Sequence, residues 1–333
     1  MGYLDFYKLS PEEKMEIFSA VSNQTGLPLF AVEKDWWVVR VLDLIFQTEI
    51  AAHTVFKGGT SLSKAWGLIE RFSEDVDLAL DRSFLGFDEA NPSRTKITQL
   101  RKDSKLYILD KLIPQLTNGF EAAELNEVTI EVRETSESDQ DPLIIEIYYP
   151  YVTEHTAYVS PRILVEIGIR SLREPFSERE ITSAVAEVFK DSEFIDAPVS
   201  IPTVNPERTF LEKLFLLHEE FQRPAARMRV ERLSRHLYDI HQISKSEFYE
   251  HALADKDLYK GIVEHRSIFA KLGGVDYTSH FAPNLNPMPP NNIMEEWEKD
   301  YATMQEQMIY GETLSFKELI AAIDTIKNTI NGQ

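Results

Sequence analysis

The chain has 333 residues, 43% of them hydrophobic, enough for two or three globular domains; it has no cysteine, which excludes disulfides and thiolate metal sites. Its 35 basic residues against 55 acidic ones give a formal charge of -20, which excludes broad electrostatic attraction to nucleic acid and confines any such contact to a local basic patch. Met1 to Ser10 lacks the basic and apolar runs of an export signal, and no stretch has the length of a membrane span, so a soluble, cytoplasmic protein is expected.

Ser10-Pro11-Glu12-Glu13 predicts a helix start, with serine as cap, proline at the first helical position and acids in the first turn; that helix runs to about Asn23. Phe30, Trp37, Val41, Leu44 and Ile45 recur at helical spacing and predict a second helix from Leu27 to Phe46. His53 to Lys57 is a short apolar strand running into two glycines, a helix follows from Ser61 to Ile69, and Asp75 to Leu80 alternates as a strand does. A long polar helix is expected from Ser93 to Leu116, then strands over Glu127–Arg133, Leu143–Tyr149 and Ile163–Ile169. After Pro206 the texture turns helical: Pro206–Phe221, Ala225–Ile243, Lys245–Ala254, a stretch after Lys256, and two more after Asn291 and Ser315. Gly273 to Asn292 carries four prolines and no period. The fold class is therefore α+β, with a mixed-sheet head over residues 1–202 and a helical domain over 203–333.

Residues two apart on a strand point to one face, so Asp75 and Asp77 present their carboxylates side by side with Val76 buried between them. Such a pair suits Mg²⁺, which takes one or two carboxylates and fills its remaining positions with water and nucleotide phosphates. Upstream, Gly58 and Gly59 let backbone approach a phosphate, Thr60 and Ser61 open a helix, and Lys64 lies one turn in. A glycine pair alone reads as a tight strand-to-helix turn; joined to Asp-x-Asp on the next strand it reads as a nucleotide site. Lys213 lies on the apolar helix of Phe210, Leu214 and Leu217 and needs an anionic partner, either a triphosphate or Asp239 on the next helix. Arg227, Arg229, Arg232 and Arg235 form the basic cluster of an acidic chain, with positions 228, 232 and 235 on one predicted helical face; the alternative is a solvated helix. The eight histidines show no zinc spacing, and Trp36 and Trp37 read as core.

Phe56-Lys57-Gly58-Gly59-Thr60-Ser61-Leu62-Ser63-Lys64, followed by Arg71-Phe72-Ser73-Glu74-Asp75-Val76-Asp77-Leu78, resembles the AbiEii/AbiGii family of toxin nucleotidyltransferases, which includes the MenT-like toxins. Glu33-Lys34-Asp35-Trp36-Trp37, Arg208-Thr209-Phe210-Leu211-Glu212-Lys213 and Arg235-His236-Leu237-Tyr238-Asp239-Ile240 are similar to further family segments, except that His236 stands where the family carries an acid, which leaves Asp239 as that element's acid. The resemblance implies a polymerase-beta-like nucleotidyltransferase head with a helical tail and the nucleotide in a cleft. It also implies a third carboxylate from a neighbouring strand, acting on metal and acceptor hydroxyl. Glu166 fits that position unless it pairs with Arg162 or Arg170, and Glu146 competes for it.

The resemblance further implies a magnesium-dependent toxin of a toxin–antitoxin or phage-defence system. Its activity would be transfer of a nucleoside monophosphate from NTP to an acceptor hydroxyl such as a tRNA 3′ end, with pyrophosphate released and a separate antitoxin encoded alongside. Two rivals remain open: transfer to a protein or small molecule, and a non-catalytic binding module of the same fold. Intact Asp75 and Asp77 weigh against the second.

Overall fold

The computed structural model describes residues 6–73, 75–135, 143–154, 160–171 and 174–332; Glu74, within the motif quoted above, lies outside them. The chain forms two compact units, one of Met1–Ala65 with Phe72–Val204 and one of Trp66–Arg71 with Asn205–Gln333. Among the described residues no helix is long and apolar enough to cross a membrane.

The first unit opens with α1 (Pro11–Thr25), closed at its start by a capping box between Ser10 and Glu13 and at its end by Gly26 in the left-handed conformation. In α2 (Leu29–Ile45) apolar residues occur all round the helix, which buries Glu33, Lys34, Asp35 and Arg40 along with the aliphatic and aromatic side chains. The unit continues through β1 (Thr54–Lys57), α3 (Gly58–Lys64) and β2 (Asp75–Leu80). The long polar helix follows as α4 (Arg94–Tyr107), a π turn over Ile108–Leu112, and α5 (Ile113–Ala122). It ends with β3 (Thr129–Glu134), β4 (Leu143–Tyr148), β5 (Arg162–Gly168), β6 (Phe176–Ile181), α6 (Ala184–Val188) and β7 (Val199–Val204). The seven strands make one sheet in the order β3-β4-β5-β2-β1-β7-β6. β2 runs parallel to β5 and β1 parallel to β7, while the other neighbours are antiparallel, so the sheet is mixed and the α+β class expected from the sequence is the one adopted.

Two strands escape a sequence reading. β6 is a largely polar edge strand, and β7 contains Pro202, which argues against a strand because it cannot donate to a ladder. β7 pairs with β1 at the single register position Phe56↔Thr203, so the missing N–H costs little on that side.

The second unit holds α7 (Pro206–Glu220), α8 (Ser234–Ile243), α9 (Glu247–Ala254), α10 (Lys256–Phe269), α11 (Met294–Gln307) and α12 (Phe316–Asn331). The helix expected over Ala225–Ile243 begins only at Ser234. Pro224 precedes a single 3-10 turn at Ala225–Arg227, and acids then capture backbone amides that a helix would need. Glu220 accepts from the Arg229 amide at 2.6 Å and Asp300 from the Arg232 amide at 2.6 Å, with Arg232 itself at φ +62°. The four arginines therefore do not share a helical face: Arg227 and Arg229 are exposed, and Arg232 and Arg235 are half-buried.

The proline-rich stretch after Gly273 is laced to α7. His218 Nδ1 accepts from the Asn286 amide at 2.9 Å, Gln222 Oε1 accepts from the Asp276 amide at 2.9 Å, and His280 Nε2 lies 3.0 Å from Glu219 Oε1. Arg266 grips the same carboxylate with two bonds of 2.6 Å. Burial and the neighbouring His280 push the His218 imidazole down to about 4. An unfolded chain therefore takes up a proton between about pH 6.5 and 4 that the folded one refuses, so stability falls as pH drops through that window. Chemical unfolding of wild type at pH 7 and pH 4.5 is expected to show this loss, and His218→Gln, which keeps a polar side chain but does not titrate, is expected to reduce it.

Candidate active site

β2 and β5 run parallel with Asp75 in register with Leu164 and Asp77 with Glu166. Residues paired in this way project to the same side of a sheet, so Asp75, Asp77 and Glu166 occupy one face with Glu166 abreast of Asp77. The intervening Val76, Leu78, Val165 and Ile167 are buried on the opposite face and fix the register, since a slip of one residue would invert both sets. The competing acid Glu146 sits one strand further out, in register with Leu164, and its carboxylate is spent elsewhere. Arg133 Nε donates to it at 2.9 Å, Arg162 Nη1 at 2.7 Å and the Tyr148 hydroxyl at 2.8 Å. Burial pushes this carboxyl up, but Tyr148, Arg133 and Arg162 outweigh it and hold it below the usual range. Arg162, which the sequence offered as a partner for Glu166, gives its Nη1 to Glu146.

The glycine turn packs onto the same strand. Gly58 has φ +80°, and a Cβ placed there would lie 1.9 Å from Asp77 Oδ2. The missing side chain is what admits the Asp77 carboxylate to the turn. The Thr60 hydroxyl donates to the Asp75 carbonyl and the Ser61 hydroxyl to the Gly58 carbonyl at 2.9 Å. Both residues are buried, so their hydroxyls tie the turn together. The helix they belong to starts at Gly58 and ends at Lys64, shorter than the Ser61–Ile69 span expected. Lys64 Nζ lies 2.8 Å from Asp35 Oδ1 on α2, a pairing the sequence does not announce.

Among the described residues no three His, Asp or Glu side chains converge into a ready-made metal cage. Two adjacent aspartates on one strand still match the donor set of Mg²⁺, a hard cation that needs only one or two carboxylates when phosphate oxygens complete its shell. The cradle at Gly58, filled by any Cβ, keeps one of those carboxylates in place.

In the second unit Lys213 and Asp239 do pair. Asp239 Oδ2 lies 2.8 Å from Lys213 Nζ, and Arg71 donates to the same carboxylate through Nε and Nη2, each at 2.7 Å. Lys213 also donates to His236 Nδ1 at 3.4 Å. All four side chains are buried. Burial raises the Asp239 carboxyl, yet the charges and hydrogen bonds of Arg71 and Lys213 overcome this and hold it far below the usual range. Burial first, then Lys213, keeps His236 well below an ordinary histidine, so a neutral imidazole stands against the ammonium. Arg71 and Lys213 thus share one buried carboxylate. Arg71 is the member that sequence reasoning passed over, although it stood four residues ahead of Asp75 in the motif.

Two aspartates and a glutamate on one face of a mixed sheet, beside a glycine turn, fit the class of nucleotidyltransferases. A family model described as nucleotidyl transferase AbiEii toxin of the type IV toxin–antitoxin system matches residues 40–324, and the chain belongs to that family. A nucleotidyltransferase toxin of this kind uses a nucleotide substrate and has a cognate antitoxin. The matched span begins after Glu33–Trp37. Among solved structures, MenT4, a nucleotidyltransferase toxin from Mycobacterium tuberculosis H37Rv, is similar over 94% of this chain and 98% of its own, with 17% identity and a TM-score of 0.48. No curated protein matches.

Gly58→Ala is expected to lower nucleotide transfer by about a hundredfold, the order of effect that an ångström-scale misplacement of a reacting group produces, with the fold retained by circular dichroism. Asp239→Asn removes the carboxylate that the buried Arg71 and Lys213 share and is expected to cost roughly 3–5 kcal/mol in urea unfolding at neutral pH. Because the folded carboxyl is depressed, its contribution is complete above about pH 5 and fades as pH falls below the unfolded value near 4. The gap between wild type and variant should therefore narrow in acid.

Proposed function

We propose that this chain is a Mg²⁺-dependent toxin that transfers a nucleoside monophosphate from NTP to the 3′-terminal hydroxyl of tRNA in the cytoplasm, and that its cellular setting is a toxin–antitoxin or phage-defence pair. The observation that carries the reading is the alignment of Asp77 with Glu166 beside the side-chain-free Gly58. Asp75 and Asp77 would hold the ion, which when bound would supply Lewis-acid stabilisation of the charge that builds on phosphorus oxygens. The Gly58 to Ser61 turn offers backbone to the triphosphate. Glu166 accepts the proton of the attacking hydroxyl as its oxygen bonds to the α-phosphorus; the bond to the β-phosphate oxygen breaks and pyrophosphate leaves.

Lys213, held by Asp239 beside Arg71, serves as a cationic contact for a phosphate. The tRNA acceptor is supported by the arginines at 227, 229, 232 and 235, a basic cluster in a chain of charge -20. Arg229 is already engaged by Glu220, through Nη2 at 2.7 Å. Arg227, which is exposed, and the half-buried Arg235 remain candidates for RNA phosphates.

Incubation with each labelled NTP, Mg²⁺, total tRNA and total cell protein tests the reading. Label is expected in tRNA and absent after Asp75→Asn or Asp77→Asn; label in protein alone would replace the acceptor, and no label anywhere would remove the activity. Arg227→Gln with Arg235→Gln is expected to raise the acceptor KM well above any change for NTP and to reduce the slope of log binding against log salt by about one per lost phosphate contact.

A further inference from the structure

The side chains of Glu33, Lys34 and Asp35 are consecutive, buried in the middle of α2, and each reaches a different segment of the first unit. Glu33 accepts from the Val152 amide at 2.7 Å and from the amide and hydroxyl of Thr153. Lys34 donates to the Ser160 carbonyl at 3.3 Å, just ahead of β5. Asp35 divides its oxygens: Oδ2 accepts from the Ala184 amide at 2.7 Å, opening α6, and Oδ1 holds Lys64 at 2.8 Å, closing α3.

α3 is short and pinned at both ends. Its start is pressed on β2 by the Gly58 approach to Asp77 and by Thr60 on the Asp75 carbonyl. Past its end, Arg179 Nε donates to the Ala65 carbonyl at 2.9 Å, and Lys64 is drawn to α2 by Asp35. Only 12% and 11% of the Lys64 and Asp35 side chains are exposed, so the ammonium is committed to a buried ion pair, a poor arrangement for a lysine that must meet a solvated triphosphate.

Building on the nucleotidyltransferase reading above, we propose that Lys64 and Asp35 form a positioning pair that sets the tilt of α3, and through it the seat of Gly58 and Gly59 against Asp77, rather than Lys64 being a ligand of the nucleotide.

The test uses the full chain with Lys64→Met, Asp35→Asn and the double variant. An asparagine at 35 still offers an oxygen to the Ala184 amide, so its effect reports the lost charge pair. Each single variant is expected to lower kcat by about tenfold with the NTP KM within about twofold of wild type, and the double variant to lose no more than either single one, as coupled partners do. Amide exchange at Gly59 to Leu62 is expected to quicken in all three. A lone buried charge can prevent folding; the double variant removes both charges and keeps the comparison open. A raised NTP KM in Lys64→Met beside an unaltered Asp35→Asn would make Lys64 a phosphate ligand and overturn the proposal. Unchanged exchange in every variant would overturn it as well. Exchange needs no turnover, so a wild type inactive on every acceptor would discard the reading of function while leaving the positioning pair measurable.

Discussion

The first unit is organised around a space too small for a methyl group. Asp77 Oδ2 occupies the position that a Cβ at residue 58 would need, so strand β2 and the turn that opens α3 can be this close only while residue 58 is glycine. The consequences run outward from that contact. The turn must enter a helix at once with a left-handed first residue, the Thr60 hydroxyl then falls on the Asp75 carbonyl, and the alternation of β2 fixes both aspartates on the face that Glu166 shares from β5.

Much of this was legible before any coordinates. The strand bounds of β2 and the glycine pair followed from alternation and from the special freedom of glycine, and Glu166 was separable from the apolar residues around it because a mid-strand carboxylate stands out at period two. What the sequence could not decide was how neighbouring charges are shared out. Glu146 and Glu166 look alike in sequence, each a lone acid in an apolar strand; they differ because Arg133, Arg162 and Tyr148 converge on the first. Lys213 left a triphosphate and Asp239 open as partners, and the structure pairs it with Asp239; Lys64 has a carboxylate partner, Asp35, that no local pattern marks. The arginine stretch misled for a different reason. Its helical period was real, but Glu220 and Asp300 offered the backbone amides better partners than another helical turn would.

Buried ionic groups recur throughout both units. Asp35 with Lys64, Glu219 with Arg266 and His280, Glu220 with Arg229, and Asp239 with Arg71 and Lys213 are all sheltered from water on at least the acidic side. Such pairs seldom add much stability over apolar replacements, because desolvation offsets their attraction. Their value lies in discrimination: a misplaced helix leaves a charge stranded, so alternative packings are penalised far more than in an apolar core.

The short segment Trp66–Arg71 belongs with residues that follow Val204, so the two units are not successive lengths of chain. Arg71 meets Asp239 across a separation of 168 residues. During synthesis at about 5–20 residues per second the guanidinium would wait on the order of ten to thirty seconds for its carboxylate to leave the ribosome. Throughout that interval the nascent chain carries complete Gly58 and Asp77 motifs but not the second unit. A protein built this way cannot settle its 66–71 segment before Asp239 is made, and a message cut short upstream of Asp239 yields a product whose Arg71 lacks this carboxylate.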